Sequence, residues 1–375
     1  MVIGKITDEG VADLRSRIGS YYRLERPIEM ATKDAIYHFV NSLGDRNPLY
    51  VDEDYARTTR YGCITAPPCF MTMVQHVSGL KVGGLPGVHT FHSGSDWTWY
   101  RAARVNDVIS CTFRPVEVRD RPSEFAKRLV ISYAESIYRN HRGEKIARNR
   151  GWSIRTERQT AKEKGKYKDV VKPKYTPEQL QAIWDAYDKE EIRGAVPRYW
   201  EDVNEGDELP TVVKGPWRMI DIALGSISLT GNEGGHIYSI LQRRRHPADA
   251  YIDPSTGMED QPHRGHWEDF MAHQIGVPGA YDLGYHRIAC LCTPMMNWVG
   301  DDGFVKKLYG EIRRFNVEGD TQWFKAKVTK KYVEGKEHLV DCEVWAVNQN
   351  DITTTPGRAT AVLPSKADKD SFVPC

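Results

Sequence analysis

Phe39-Val40-Asn41-Ser42-Leu43-Gly44-Asp45-Arg46-Asn47-Pro48-Leu49-Tyr50-Val51-Asp52 is an apolar helix end running into a polar turn. Upstream, Thr32 is a good N-cap residue, and Ala35, Ile36, Phe39 and Val40 fall on one side of the helix it opens. Gly44 tolerates the left-handed conformation, so the helix is expected to stop there. Asn47-Pro48 then reads as a turn. Before this segment, Val11, Leu14 and Ile18 have helical spacing, and residues 1–24 are expected to be helical. After it, Met71 to Leu80 reads as a short apolar helix and Arg128–Tyr138 alternates as a strand. The turn Asn140-His141-Arg142-Gly143 feeds a further strand over Arg148–Ile154.

The second half of the chain echoes the first. Asp34 opens a helix with Gly44-Asp45 ten residues on, and Asp221 opens another with Gly231-Asn232 at the same spacing. Tyr50 stands six residues before Ala56, and His266 six before Ala272. Arg101 stands six before Asp107, and Arg314 six before Asp320. Matches kept in one order imply two copies of one α+β unit. The expected units are 1–155 and 198–375, joined by a charged linker and helix over 156–197. Thr176-Pro177-Glu178-Gln179 starts that helix with a capping box. The second unit carries an insertion at about 233–262, rich in His, Arg and Pro.

A chain of 375 residues exceeds what one core usually serves, which agrees with two units. Lys and Arg number 52 against 51 Asp and Glu, so no global field points to nucleic acid or anionic lipid. No apolar run is long enough to span a bilayer. MVIGKITDEG lacks the apolar core of a secretory leader. Seven cysteines without framework spacing fit reduced thiols. A cytoplasmic enzyme is expected.

Residues 39–52 resemble the hydratase motif of the MaoC-like family, G-D-x-N-P-x-H-x-D with an Ala a few residues on. Asp45, Asn47, Pro48, Asp52 and Ala56 match, and Tyr50 stands where that family carries its catalytic His. The second half is similar to the C-terminal partner in double-length members. Tyr199-Trp200-Glu201-Asp202-Val203, Gly206-Asp207, Leu209-Pro210, His266-Trp267-Glu268 and Tyr281-Asp282-Leu283-Gly284 carry that likeness. Here the His is present, and Asn232 occupies the place of the Asp. The resemblance covers about residues 20–155 and 198–365. It implies an α+β double hotdog, two curved antiparallel sheets each wrapping a central helix. It also implies an acyl-CoA or acyl-carrier thioester as substrate, no cofactor, and a homo-oligomer, with a dimer among the options.

Hydration of a conjugated thioester needs a base to take a proton from water and an acid to protonate C2. In the family, Asp and His five residues apart do both. This chain divides the pair, which leaves three arrangements. His266 acts with Asn232, an insertion residue such as Asp260 supplying the carboxylate; or Asp45 acts with Tyr50; or neither half is a hydratase. The first is preferred, with Asn47, Gly284, Tyr281 and Arg244 as substrate-binding candidates. Thioesterase chemistry or a non-catalytic acyl-CoA-binding subunit are the alternatives. Each residue also has a structural reading. Asp45 can brace its turn, and His266 can be a neutral hydrogen-bonded histidine. Asp107 and Asp320 read as turn residues. Arg101 and Arg314 read as surface pairs, and Arg243-Arg244-Arg245 as a solvated run. His236, His246, His263, His266, His273, Cys290 and Cys292 fit no standard metal spacing, and no metal is expected. Nothing resembles a phosphate-binding loop or a dinucleotide fingerprint.

Overall fold

The computed structural model describes residues 4–22, 28–74, 85–123, 127–157, 171–230 and 236–375. Its helices are α1 (Asp8–Ser16), α2 (Lys33–Leu43), α3 (Glu53–Thr58), α4 (Met71–Val74), α5 (Pro177–Asp188), α6 (Met219–Thr230), α7 (Ile237–Arg245), α8 (Asp269–Gln274) and α9 (Gly284–Val299). Its strands are β1 (Thr65–Ala66), β2 (His89–Trp99), β3 (Ala103–Arg104), β4 (Ile109–Ser123), β5 (Lys127–Asn140), β6 (Lys145–Thr156), β7 (Val212–Lys214), β8 (Tyr251–Ile252), β9 (Glu259–Asp260), β10 (Phe304–Glu311), β11 (Gln322–Glu334), β12 (Glu337–Asn348) and β13 (Thr353–Leu363).

Nine strands form one antiparallel sheet in the order β4-β5-β6-β2-β10-β13-β12-β11-β7. The order β4-β5-β6-β2 in one half mirrors β11-β12-β13-β10 in the other. The halves meet where β2 pairs with β10, from Thr98 opposite Lys307 to Gly94 opposite Glu311. The chain is therefore a double hotdog. The central helix of the second half is α9, buried at every position from Tyr285 to Val299. A helix buried on all sides needs cover on all sides, and the curved sheet β10–β13 supplies much of it. In the first half, the helix expected over Met71–Leu80 is described from Met71 to Val74; the remainder lies outside the described residues.

Local signals set the ends of these elements. Thr32 accepts from the Ala35 N–H (3.1 Å) and starts α2. Gly44 ends it at φ 58°, ψ 37°. Only Lys214 Nζ, at 3.9 Å, lies near the Cβ that Gly44 lacks, so the left-handed backbone is the constraint there. Gly44→Ala is expected to lower stability by about 1 kcal/mol, read as a lower urea midpoint at unchanged slope. An unshifted midpoint would remove that reading. Thr176 and Gln179 form the expected capping box of α5.

The N-terminal helix is shorter than its spacing suggests. It covers only Asp8–Ser16, burying Val11 and Leu14. Ile18 is 42% exposed, Gly19 takes φ +85°, and Tyr22 bridges to Phe113 beside the sheet. Asp107 and Asp320 hold equivalent turns: Asp107 accepts from the Arg104 N–H (2.9 Å) and Asp320 from the Val317 N–H (2.8 Å).

Candidate active site

The second-half site is built on two short elements that pack on each other and, through Met271 and Ala272, in one apolar cluster with Tyr281 and Val317. A 3₁₀ turn spans Pro262–His266. Arg264 fixes it by reaching Asp253 (3.0 Å), Asp260 (3.3 Å) and Glu268. Helix α8 follows and buries Met271 and Ala272. This frame places the His266 ring 4.1 Å from the Tyr281 ring and 4.8 Å from that of His263. Nδ1 of His266 donates to the Tyr281 carbonyl oxygen (2.8 Å). A carbonyl only accepts, so Nδ1 carries the proton and Nε2 keeps its lone pair. Burial, then the neighbouring His263, pushes the His266 pKa down to about 3. The ring is neutral and held in one tautomer.

Tyr281 is bridged to Val317. Asp282 follows, fully enclosed and paired with Arg287 of α9. Leu283 is the N-cap residue of α9 and its side chain makes no capping bond. The first-turn N–H groups therefore present a positive dipole end unblocked by a side-chain cap. Gly284 is needed where α9 starts. A Cβ there meets Ile312 Cδ1 at 2.6 Å and the His92 carbonyl oxygen at 3.0 Å. His92 comes from β2 of the other half, its pKa lowered to about 3 by burial. Nε2 of His92 lies 3.3 Å from Ser95 Oγ.

The first half repeats this frame with different chemistry. Thr65 pairs with Arg104 as Tyr281 pairs with Val317, and Tyr50 precedes Thr65 by the same fifteen residues that separate His266 from Tyr281. Tyr50 and Asn47 line a cavity of about 50 Å³ with Trp99, Arg101, Met296 and Phe304. Burial pushes the Tyr50 phenol well above its ordinary range, so it is a donor and not a base. Asp45 is not on that wall. Its Oδ1 accepts from the Asn47 N–H (2.8 Å) and its Oδ2 is buried without a partner. Burial raises its pKa. Asp45 thus braces the turn.

Of the candidate residues, the fold brings together His266, Tyr281 and Gly284 in one half, and Asn47 with Tyr50 in the other. Among the described residues no hydrogen bond or ion pair joins the two groups, and no carboxylate hydrogen-bonds to His266. Asp260 is occupied by Arg264 and the Gln261 N–H (2.8 Å). Arg244 is exposed on α7, and Asn232 lies outside the described residues. Sequence reasoning missed His92 and Arg287; no local signal marks His92, since β2–β10 pairing alone carries it to α9. Among the described residues no group of three His, Cys, Asp or Glu side chains is arranged to hold a metal. No helix among them is long and apolar enough to cross a membrane.

The buried imidazoles make stability depend on pH. His286 donates from Nε2 to the Ser42 carbonyl (2.9 Å), and burial lowers its pKa to about 4. The unfolded imidazole, near 6.5, binds protons first as pH falls. Stability is therefore complete above pH 6.5 and is lost as pH falls toward 4. From pH 7 to 5 this single group contributes a loss of about 2 kcal/mol. Urea titrations at both pH values should show that loss reduced by about this amount in His286→Asn; an unchanged loss would contradict the assignment.

Known proteins share this fold. Residues 21–149 match the family described as FAS1-like, dehydratase domain region. A UPF0336 protein of Thermobifida fusca is 28% identical over 102 residues, 26% of this chain and 66% of that protein. A UPF0336 protein of Streptomyces avermitilis is 26% identical over 103 residues, 26% of this chain and 68% of that protein. A solved MaoC-like dehydratase superposes with TM-score 0.64 at 13% identity, over 94% of this chain and 100% of its own. A MaoC domain protein from Chloroflexus aurantiacus gives 0.60 at 11%, over 93% and 96%. A MaoC-like dehydratase from Phytophthora capsici gives 0.51 at 9%, over 95% and 99%.

Proposed function

We propose that this chain, a double hotdog whose residues 21–149 match a dehydratase domain region and whose fold superposes on MaoC-like dehydratases, reversibly hydrates an enoyl thioester to the 3-hydroxyacyl thioester. The observation that carries this reading is the neutral His266 ring, tautomer-locked by the Tyr281 carbonyl three residues before the uncapped start of α9. Nε2 takes a proton from water as its oxygen bonds to C3. Electrons of the C2–C3 double bond shift toward the thioester carbonyl. The charge on that oxygen meets the first-turn N–H groups of α9. The imidazolium then returns the proton to C2, so one water adds across the double bond and nothing else is consumed.

The thioester is carried on CoA or on a carrier protein, and the chain works in the cytoplasm as a homo-oligomer. The domain division at 155 and 198 is part of the same proposal. The test is to mix the purified chain with a panel of trans-2-enoyl-CoA esters and follow enoyl absorbance. Turnover with loss of that absorbance is expected. Release of free thiol instead would make it a thioesterase. Binding without either change would make it an acyl-thioester-binding subunit and sink the hydratase reading.

A further inference from the structure

One patch on the buried face of the first-half sheet is polar where a core face is ordinarily apolar. Directly opposed residues of antiparallel strands share a face. His92 of β2 opposes Ser153 of β6, which opposes Ser132 of β5. Further along, Ser95 opposes Gly151 and Gly151 opposes Ala134; then Trp97 opposes Asn149 and Asn149 opposes Ser136. Small residues therefore occupy the face between His92 and Asn149. These side chains are enclosed: Ser153 and Asn149 are 0% exposed and Ser132 6%. Even so, Ser132 Oγ, Ser153 Oγ, both amide atoms of Asn149 and His92 Nδ1 have no hydrogen-bond partner. Buried polar groups are nearly always paired, so this concentration on one face calls for an explanation.

The position of the row supplies one. His92 touches the start of α9, since a Cβ on Gly284 lies 3.2 Å from His92 Cδ2. The other end of the row is Ser132, on a crevice with Leu14, Pro115, Val118, Ala134 and Arg155. Arg155, 4% exposed, is one row beyond Ser153. From His92 to Ser132 is two strand spacings, about 10 Å, the reach of an acyl chain of about six to eight carbons.

We infer that this polar floor receives the acyl chain of the substrate, and that the chain ends in an oxygenated group, a hydroxyl or a carboxylate. A plain alkyl chain leaves Ser153 and Ser132 unpaired and desolvated. An oxygenated tail pairs them. Discrimination by buried hydrogen-bonding groups against a ligand that lacks the partner is strong for this reason. The inference rests on the hydratase reading for where the thioester sits, but not for the polarity of the floor.

The test uses saturated esters, which bind without turnover. Calorimetric titration of the full chain with suberoyl-CoA, 8-hydroxyoctanoyl-CoA and octanoyl-CoA should show at least one oxygenated ester bound about tenfold or more tightly than octanoyl-CoA. In Ser153→Val and in Ser132→Val the preference should collapse, and Ser153→Ala and Ser132→Ala give the same answer if the larger side chains prevent folding. Suberoyl-CoA binding tightest identifies the carboxylate, 8-hydroxyoctanoyl-CoA the hydroxyl. Octanoyl-CoA binding as tightly as both overturns the inference, as does a preference that survives all four variants. A chain that shows the preference yet hydrates no enoyl ester loses the hydratase reading and keeps the polar floor. One that hydrates trans-2-octenoyl-CoA as well as its oxygenated counterparts does the reverse.

Discussion

His266→Gln is expected to lower kcat for enoyl-thioester hydration by about 10²–10⁴, the usual worth of a positioned general base. Glutamine keeps a polar side chain of similar reach but cannot carry a proton from water to C2. The fold should survive, because the ring's ties to the scaffold are to the backbone at Tyr281 and Asp282, which a glutamine amide can also reach. KM should change little, since the lost interaction belongs to the transition state. Tyr50→Phe is the matching change in the first half. Tyr50 occupies the equivalent position beside Thr65 but offers only a phenol whose pKa burial has raised. It should leave kcat near the wild-type value while altering what fits the cavity it lines. Stopped-flow loss of enoyl absorbance with both variants decides the matter. If Tyr50→Phe is the inactive one, the chemistry belongs to the cavity of the first half and His266 is a structural histidine.

Much of this arrangement is visible in the chain because the repeated turns obey local rules. Thr32, Gly44 and the Asn47-Pro48 turn announce their roles by residue type. The equal spacing of Tyr50 to Ala56 and His266 to Ala272 puts both site positions in phase. The phase of the helices before them is harder to read. Asp34 and Asp221 suggest an offset of 187 residues, whereas α2 and α6 start 186 apart, at Lys33 and Met219. Backbone bonds agree with the smaller offset: Ala31 donates to Asp107 and Trp217 to Asp320, each at 2.9 Å. An acidic residue in a first turn marks a helix start only to within a residue, because several first-turn positions gain from the dipole. His92 is illegible for another reason. It reaches α9 only through the pairing of β2 with β10, a contact between residues more than two hundred positions apart. Arg287 reads as a surface cation until the fold closes over it, and nothing in its neighbours' spacing shows that Asp282 will meet it inside.

Arg287→Met is expected to cost about 3–5 kcal/mol of stability, the largest loss from any single ion pair among the described residues. The two side chains are 2% and 0% exposed. Arg287 forks onto both Asp282 oxygens, Nε reaching Oδ2 at 2.7 Å, and Nη1 donates to the Arg314 carbonyl (2.6 Å). Asn316 Nδ2 adds a contact to Asp282 at 3.3 Å. Methionine fills similar volume but leaves a buried carboxyl group without its counter-charge and a carbonyl without its donor. An exposed pair such as Arg57–Asp54 serves as the contrast (63% and 92% exposed); its removal should cost less than about 1 kcal/mol. Urea unfolding of both variants gives the comparison, and Asp282→Leu combined with Arg287→Met separates burial from charge. That double variant should recover part of the loss, because no lone charge then remains inside. The activity of Arg287→Met carries a further consequence. Asp282 follows the residue whose carbonyl holds His266 and precedes the start of α9. Releasing it should loosen His266 and the start of α9 together, so kcat should fall even at temperatures where the variant remains folded. A folded Arg287→Met variant with wild-type kcat would show that the Tyr281–Gly284 segment holds its geometry without the pair, and the stability cost would then be the pair's whole contribution.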